Sequence, residues 1–407
     1  MEEDPMRPLL LLGALIICAG PWLSEPNRAQ STFDPAIAEM ISHVADSMML
    51  QTIGGLQSFG TRYSFASTRD TVARWIRGRF LAAGLTDVVL DSFQYSGIGL
   101  VNVVATIHGT SASAGEIVVG AHYDSYSPSA YNSAPGADDD ASGTSAVMEM
   151  ARVVTAHGYA PASTIRFIAF SGEEQGLQGS NVYAQRAKSA RRPIRAMLNF
   201  DQIGYRIAGQ GDMDVYLVWY ESGEALVALN VDLIQQYTTL TPVLSTRPRT
   251  RSDSYAFASK GYAAVWWLEH DGTPYYHTTS DLLEYIDGAY AAEIARSALA
   301  LVLTLDKSTV DVRPAAETVP TSLRLYQNYP NPFNPTTGIR FQVSGFSDVK
   351  LSVFDILGRE VAVLVNERMP AGTYQVTFDG SGLASGVYFY RLNARSFLAC
   401  RAMLLLK

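Results

Sequence analysis

Three stretches in the middle of the chain decide its fold class: "EIVVGAH" (residues 116–122), "SGTSAVMEMARVV" (142–154) and "TIRFIAF" (164–170). The first and third are short, nearly continuous apolar runs, which are typical of strands buried on both faces. The middle stretch has apolar residues at helical spacing. A strand, a helix and a second strand in this order predict a βαβ crossover in a parallel sheet.

The same alternation continues on both sides of these stretches. Further runs of strand length are "NVVATIH", "AMLNFD", "DVYLVWY" and "AAVWWLE", and helical stretches such as "ALVALNVDLIQQYT" and "AYAAEIARSALALVLTL" separate or follow them. We therefore predict an α/β domain over residues 33–306, with a mostly parallel central sheet and helices on both faces. Sites in such sheets lie at the carboxyl ends of the strands.

The pattern changes after this domain. Residues 307–322, "KSTVDVRPAAETVPTS", are poor in bulky apolar residues and contain two prolines, which is typical of a linker. From residue 323 to 407 the chain consists of short alternating runs such as "GIRFQV" and "GVYFYRL" with turns between them. This pattern predicts a small all-β sandwich of the immunoglobulin-like kind.

The N-terminus has the pattern of a secretory signal peptide, which we assign to residues 1–24. Arg7 precedes an apolar run from Leu9 to Ala19 that is too short to span a bilayer. We expect no stable transmembrane segment after its cleavage, and lipidation of Cys18 remains an alternative. If Cys18 is removed, Cys400 is the only cysteine, so no intramolecular disulfide can form. The net charge of -8 argues against a nucleic-acid partner.

Metal-binding side chains follow the predicted strands. The stretches concerned are "GAHYDS", "GADDDASG", "AFSGEEQG", "NFDQIG" and "YYHTTSD", which contain His122, Asp138 to Asp140, Glu173 with Glu174, Asp201, and His277. Three adjacent carboxylates form either a solvated loop or a cation site. Each histidine alone is more often structural than ligating. Two zinc ions about 3.5–4 Å apart need a shared bridging ligand, nitrogen or carboxylate ligands on each side, and a nearby base, and these stretches supply all of them.

In this order the motifs resemble the co-catalytic dizinc aminopeptidase family, which includes glutamate carboxypeptidase-like and glutaminyl cyclase-like proteins. The resemblance covers residues 35–305. It implies that His122 and Asp201 hold one zinc ion and that Glu174 and His277 hold the other. It also implies a bridging role for Asp139, because the family's bridging Asp begins a five-residue stretch that ends in Ser-Gly.

The resemblance further implies a function for Glu173 and a cis peptide bond, while the positions of Asp124, Tyr275 and Tyr276 suggest functions for these residues. Glu173 would be the general base, and a cis peptide bond is expected between Asp139 and Asp140. Asp124, two residues after His122 on a strand, would lie on the same face and orient the imidazole. Tyr275 and Tyr276 would either donate to a developing oxyanion or only pack at a strand exit.

The implied activity is a zinc-dependent exopeptidase, an aminopeptidase, that hydrolyses peptide or protein substrates through a metal-bound hydroxide formed with help from Glu173. Two alternatives stay open. One is a catalytically silent binding or adhesion protein on the same scaffold, although such proteins usually lack some of the ligands. The other is a glutaminyl cyclase-like acyltransferase with a single zinc ion.

The C-terminal sandwich carries a second resemblance. The stretches "LYQNYPNPFNPTTGIRFQV", "VFDILGREV" and "GVYFYRL" resemble the C-terminal sorting domain of the type IX secretion system, over residues Leu325 to Lys407. This implies that the type IX machinery is a partner. It also implies export through the periplasm and outer membrane, so that the protein is secreted or held at the cell surface. An accessory sandwich that binds carbohydrate or protein is the alternative.

Overall fold

The computed structural model describes residues 32–207, 213–245, 250–307, 323–343, 347–369, 372–394 and 397–407. The predicted signal peptide (1–24) and all but the first residue of the predicted linker (307–322) lie outside the described residues.

The described residues as far as position 307 contain eight α-helices and eight strands. The helices are α1 (Pro35–Ser42), α2 (Asp46–Gln57), α3 (Arg69–Ala82), α4 (Gly143–Ala156), α5 (Gln178–Ser189), α6 (Glu224–Tyr237), α7 (Asp253–Ala258) and α8 (Gly288–Lys307). The strands are β1 (Asp87–Tyr95), β2 (Ile98–Ile107), β3 (Glu116–His122), β4 (Thr164–Phe170), β5 (Ile194–Phe200), β6 (Asp214–Trp219), β7 (Thr241–Leu244) and β8 (Ala264–Glu269).

The eight strands form one mixed sheet in the order β1-β2-β4-β3-β5-β8-β6-β7. Its four central strands, β4, β3, β5 and β8, are parallel to one another, which confirms the predicted parallel centre. β2 runs antiparallel to both β1 and β4, and β6 runs antiparallel to β8. The sequence did not indicate these antiparallel flanks, because strand direction depends on the path of the chain and not on local periodicity.

Helices cover both faces of the sheet, and β3 shows how. Ile117, Val119 and Ala121 belong to a large core shared with α2, α4 and α8. Val118, which points to the opposite face, belongs to a second core shared with α5 and α7. Because both faces are buried, the strand needs apolar side chains at nearly every position, and this explains its continuous apolar run.

Helix α8 is long and apolar enough to cross a membrane by length and composition alone. In the structure, however, 78% of its most apolar window is buried. Its side chains pack against α1, α2, α4 and α6. We therefore interpret α8 as a core helix of the α/β domain.

The C-terminal residues form two antiparallel sheets. Their strands are β9 (Arg324–Leu325), β10 (Thr336–Val343), β11 (Ser347–Phe354), β12 (Glu360–Met369), β13 (Gly372–Asp379), β14 (Gly386–Ala394) and β15 (Phe397–Leu405). One sheet has the order β13-β10-β9 and the other β12-β11-β14-β15. Phe341 of the first sheet and Leu351 and Tyr390 of the second share one buried core, so this region is all-β as predicted.

Candidate metal centre

The parallel centre of the sheet brings the predicted site residues together. Because β4, β3, β5 and β8 run in the same direction, their carboxyl ends lie at one edge of the sheet. The site residues stand at or just beyond these ends: His122 ends β3, Asp139 lies between β3 and α4, Glu173 and Glu174 follow β4, Asp201 follows β5, and His277 follows β8.

Five of these side chains form two groups that share Asp139. The first group contains His122, Asp139 and Asp201, and the second contains Asp139, Glu174 and His277. In each group the potential ligand atoms all lie within 4.8 Å of one another. His122 Nε2 is 3.2 Å from Asp139 Oδ1, and His277 Nε2 is 3.2 Å from Asp139 Oδ2. The two carboxylate oxygens of Asp139 therefore face different groups, which is the arrangement that a bridging ligand needs.

Three buried carboxylate oxygens in these groups lack a hydrogen-bond partner: Asp139 Oδ2, Glu174 Oε1 and Asp201 Oδ1. A buried polar atom without a partner costs about 1–3 kcal/mol, and more when it is charged. Oxygen and imidazole nitrogen are both ligands that zinc accepts. These residues fit a pair of zinc ions, because cations would satisfy the unpartnered oxygens.

Burial and charge shift the pKa values of the same groups. Burial acts to raise the pKa of Asp139, but the adjacent imidazoles of His122 and His277 outweigh it and hold the pKa below its usual range. Burial, together with the charge of Asp139, raises the pKa of Glu174 to about 7. Metal ligands must be deprotonated, so cations would take the place of the protons that this cluster otherwise holds.

Glu173 lies beside the two groups but belongs to neither. It lines the same cavity as the five potential ligands. Burial raises the pKa of Glu173 well above its usual range, and the nearby carboxylates Asp201 and Asp253 raise it further, against the charge of His122. A carboxyl group that is close to the ligands and not committed to a cation has the position of a general acid or base.

The backbone is in an unfavourable conformation at one potential ligand and directly after another. Gln202 has a φ of 57° and His277 a φ of 55°, both in the left-handed region that non-glycine residues rarely adopt. Such conformations cost about 1–3 kcal/mol each and persist where the surrounding structure imposes them. Here one of the two residues is His277 itself, on the loop after β8, and the other directly follows Asp201, on the loop after β5.

Asp124 contacts the site through its backbone carbonyl and through its carboxylate. Its backbone carbonyl oxygen is 3.1 Å from His122 Nδ1, whereas its carboxylate Oδ1 is 3.7 Å from the same nitrogen. The carboxylate instead accepts the backbone N–H groups of Glu173 (3.2 Å) and Glu174 (3.3 Å), and the hydroxyl of Ser64 (3.1 Å). A direct role of the carboxylate in orienting the imidazole stays a prediction, while its contact with the Glu173–Glu174 turn is a finding.

The three consecutive aspartates have three different surroundings. Asp139 contributes to both groups, and the bond between Asp139 and Asp140 is cis, as the family resemblance implied. Asp140 Oδ2 accepts the backbone N–H of His122 at 3.1 Å. Asp138 Oδ1 accepts the backbone N–H of Gly204 at 2.8 Å. The outer two carboxylates therefore hold backbone segments that carry or border the site, rather than lying in solvent.

Asp281 is a site residue that sequence reasoning missed. Its side chain is 3% exposed, and its two carboxylate oxygens accept the backbone N–H groups of Asp138 (2.9 Å) and Asp139 (3.0 Å). It therefore fixes the peptide segment from which the shared carboxylate extends. The one available signal was its place four residues after His277 in "HTTSD".

Arg62 was also missed, and it is fully buried. It donates to the backbone carbonyls of Tyr123 (2.7 Å), Pro135 (2.5 Å) and Gly136 (2.7 Å). Burial lowers the pKa of Arg62 to about 10, although nearby aspartates, Asp281 foremost, act to raise it. This guanidinium joins the segment after β3 to the segment before Asp139. It also adds a positive charge close to the carboxylates of the site.

A cavity of about 520 Å³ opens over the two groups. Leu177, Trp266, Leu268 and Tyr276 contribute apolar surface to its wall. The ring of Tyr276 stacks on the ring of His277 with 3.8 Å between centroids. Tyr275 does not line this cavity and stacks on Tyr285 with 4.0 Å between centroids. Of the two tyrosines considered from sequence, only Tyr276 lines this cavity.

Comparison with protein families assigns both parts of the chain. Residues 102–302 match peptidase family M28, and residues 327–402 match the secretion system C-terminal sorting domain.

Individual relatives agree with the peptidase match. The leucine aminopeptidase 1 of Fusarium vanettenii is 33% identical over 291 residues, covering 66% of this chain and 72% of the relative. A probable zinc metalloprotease of Pyrenophora tritici-repentis is 35% identical over 235 residues, covering 52% of each chain. This chain therefore spans about half the length of that metalloprotease. Among solved structures, LapA of Legionella pneumophila is similar with a TM-score of 0.63 and 25% identity, covering 68% of this chain and 78% of LapA.

Proposed function

This chain belongs to peptidase family M28, a family of zinc metallopeptidases, and we propose that it is a secreted aminopeptidase that uses two zinc ions. The observation that carries the proposal is the pair of ligand groups sharing Asp139, which contain three buried carboxylate oxygens without a hydrogen-bond partner. The names of the leucine aminopeptidase relatives support a free N-terminus as the part of the substrate that is recognised.

In this proposal His122 and Asp201 hold one zinc ion, Glu174 and His277 hold the other, and Asp139 bridges them. Zinc ions bound there would polarise the scissile carbonyl and acidify water. Asp124 and Asp281 hold the backbone segments that carry these ligands, through the N–H groups that their carboxylates accept.

Glu173 carries the proton transfers. As a carboxylate it accepts a proton from the attacking water, and it then donates that proton to the amine that leaves when the peptide bond breaks. Its position after β4, next to Glu174 and outside both ligand groups, supports this role. Tyr276 lies over His277 at the cavity wall and would donate to the oxygen of the scissile carbonyl.

The wall of the cavity supports a preference for apolar side chains at the substrate's N-terminus. Trp266 and Leu268 are almost fully buried, and both reach the cavity, as does Leu177. Burying a leucine-sized side chain there contributes about 1.5–3 kcal/mol of binding, relative to leaving it in water. A charged or very small first residue would gain little from the same surface.

The C-terminal part supports the cellular half of the proposal. The match of residues 327–402 to a secretion sorting domain indicates export through the type IX system to the outside of the cell or its surface. We propose that the chain first crosses the inner membrane with its N-terminal signal peptide, reaches the periplasm, and is then exported across the outer membrane through recognition of the sandwich.

A substrate panel with metal analysis tests the enzymatic half. Purified protein should release p-nitroaniline from leucyl-p-nitroanilide, should ignore the N-acetylated compound, and should lose activity with a chelator until zinc is restored. The five proposed catalytic ligands should together hold two zinc ions per chain. Cleavage of N-blocked peptides from their C-terminal end would contradict the aminopeptidase assignment. One zinc ion together with cyclisation of glutaminyl peptides would indicate the acyltransferase instead, and intact metal without any turnover would indicate a binding protein.

A further inference from the structure

A second cluster of metal-binding side chains lies at the opposite end of α4 from the catalytic groups. It contains Glu39 on α1, His43 directly after α1, and His157 directly after α4. His43 Nε2 is 3.1 Å from Glu39 Oε1, and His157 Nε2 is 3.8 Å from the same oxygen. One ligand atom from each residue lies within 4.8 Å of the other two.

The hydrogen bond of His157 leaves its Nε2 available to bind a metal ion. Its Nδ1 is 2.9 Å from the carbonyl oxygen of Val153. Because a carbonyl oxygen only accepts, Nδ1 carries the proton and donates it. In the neutral ring Nε2 then has a free lone pair, and Nε2 is the atom that faces Glu39. A hydrogen bond from the other ring nitrogen to a carbonyl is the usual way in which proteins orient a metal-binding imidazole.

The backbone environment also favours a cation. His43 caps the C-terminus of α1, and His157 caps the C-terminus of α4, so the C-termini of two helices converge here. A helix C-terminus carries roughly half an elementary negative charge on its last carbonyl groups. Both helix ends therefore add to the negative charge of Glu39.

The cluster is held together by contacts that do not use its ligand atoms. Arg152 on α4 donates to the backbone carbonyl of His43 at 2.9 Å, and Glu149 accepts the backbone N–H of Ala45 at 2.8 Å. Arg152 and Glu149 bind each other through two hydrogen bonds, so the arginine's charge is balanced and opposes a bound cation only weakly. The rings of His43 and His157 meet edge to face, with centroids 4.4 Å apart.

We propose that Glu39, His43 and His157 form a further metal site that binds a zinc-class transition ion and joins α1 to α4. Two imidazoles and one carboxylate suit Zn²⁺, Cu²⁺ or Ni²⁺, and poorly suit Ca²⁺ or Mg²⁺, which take oxygen ligands. Water completes the coordination, because Glu39 and His43 are exposed. α4 has 14 residues and begins next to the Asp139 segment, so the site lies about 20 Å from the catalytic groups and has no part in catalysis.

Zinc stoichiometry at fixed free zinc tests the proposal. Wild-type enzyme and the His43→Ala/His157→Ala double variant are dialysed to equilibrium against the same buffered Zn²⁺ concentrations, and bound zinc is measured by mass spectrometry. The wild type should bind one more equivalent than the double variant at the highest free zinc. This difference does not depend on how many ions the catalytic site holds. Each single substitution should weaken the additional binding by at least about tenfold, because losing even an indirect partner costs about 10–100-fold.

His108→Ala is the matched control. His108 is an exposed imidazole 2.9 Å from a carboxylate, Asp87, and it belongs to no group of three ligands in the described part of the chain. This variant should bind as much zinc as the wild type. Equal zinc in the wild type and the double variant would overturn the proposal and leave the cluster as an imidazole–carboxylate ion pair. Loss of the additional equivalent in His108→Ala would overturn it too.

The folding and the activity of the double variant are measured as well. The double variant should hydrolyse leucyl-p-nitroanilide at the wild-type rate, and added zinc should raise the thermal unfolding midpoint of the wild type more than that of the variant. If the double variant does not fold, Glu39→Gln carries the same test, because this exposed side chain loses its charge and keeps its shape. A zinc-dependent rise in midpoint that is identical in all variants would refute the site.

Discussion

Replacing Asp124 by Asn separates two explanations of how this carboxylate supports the metal centre. In the structure each of its oxygens accepts one backbone N–H, from Glu173 and from Glu174, and Oδ2 also accepts the Ser64 hydroxyl. Asn has only one carbonyl oxygen, so its NH₂ group must face one of the two backbone donors. The imidazole of His122 keeps its bond to the carbonyl of residue 124, which the substitution does not change.

The size of the effect follows from these contacts. A hydrogen bond to a charged group contributes about 1.5–3 kcal/mol, and the abandoned N–H would be buried against another donor. We therefore expect the free energy of unfolding to fall by about 3 kcal/mol. A displacement of about 1 Å in a reacting group costs on the order of 10²-fold in rate, so kcat should fall by roughly that factor as the Glu173–Glu174 turn shifts.

Three measurements check this prediction: urea unfolding, kcat for leucyl-p-nitroanilide, and bound zinc. Stability and kcat should both fall, while the zinc held through His122 remains. Ser64→Ala is the matched control, because it removes only the hydroxyl donor and should cost about 1 kcal/mol. Asp124→Asn with unchanged stability but lost zinc would refute the reasoning, because it would mean that the carboxylate acts on the imidazole instead of the turn.

Three further predictions test the proposed site and the domain organisation. Glu173→Gln should lower kcat by at least about 10²-fold with zinc retained, because the amide cannot accept the proton. If the variant loses zinc instead, Glu173 is the ligand and Glu174 the base. Asp139→Ala should lower the zinc content at both proposed sites and also reduce stability. Asp138→Ala should lower the zinc content much less, and an equal loss of zinc in the two variants would contradict the shared-ligand assignment. Residues 33–306 made alone should fold and hydrolyse leucyl-p-nitroanilide, and the truncated gene should leave the protein in the host periplasm. A folded but inactive fragment would show that the C-terminal sandwich is needed for activity, and normal secretion would show that it is not needed for export.

The sequence alone predicted much of the fold and supplied the candidate ligands of the site. Apolar runs such as residues 116–122 and 164–170 predicted buried strands, because a strand covered on both faces needs apolar side chains at successive positions. Chemistry also sets which side chains can bind zinc, so His122, His277 and the run Asp138 to Asp140 stood out where predicted strands ended. The family resemblance then implied Asp139 as the shared ligand. The alternating runs after residue 323 predicted a region of strands in the same way.

Tertiary structure alone decided what lies around those residues. The acceptors for the backbone N–H groups of Asp139 and Glu173 are Asp281 and Asp124, which are 142 and 49 residues away along the chain. Arg62 likewise reaches carbonyls 61 to 74 residues further on. No local pattern indicates such contacts, because periodicity reports which face of an element is buried but not which distant segment packs against it. The antiparallel flanks of the sheet and the meeting of His43 with His157 depend in the same way on how the whole chain packs.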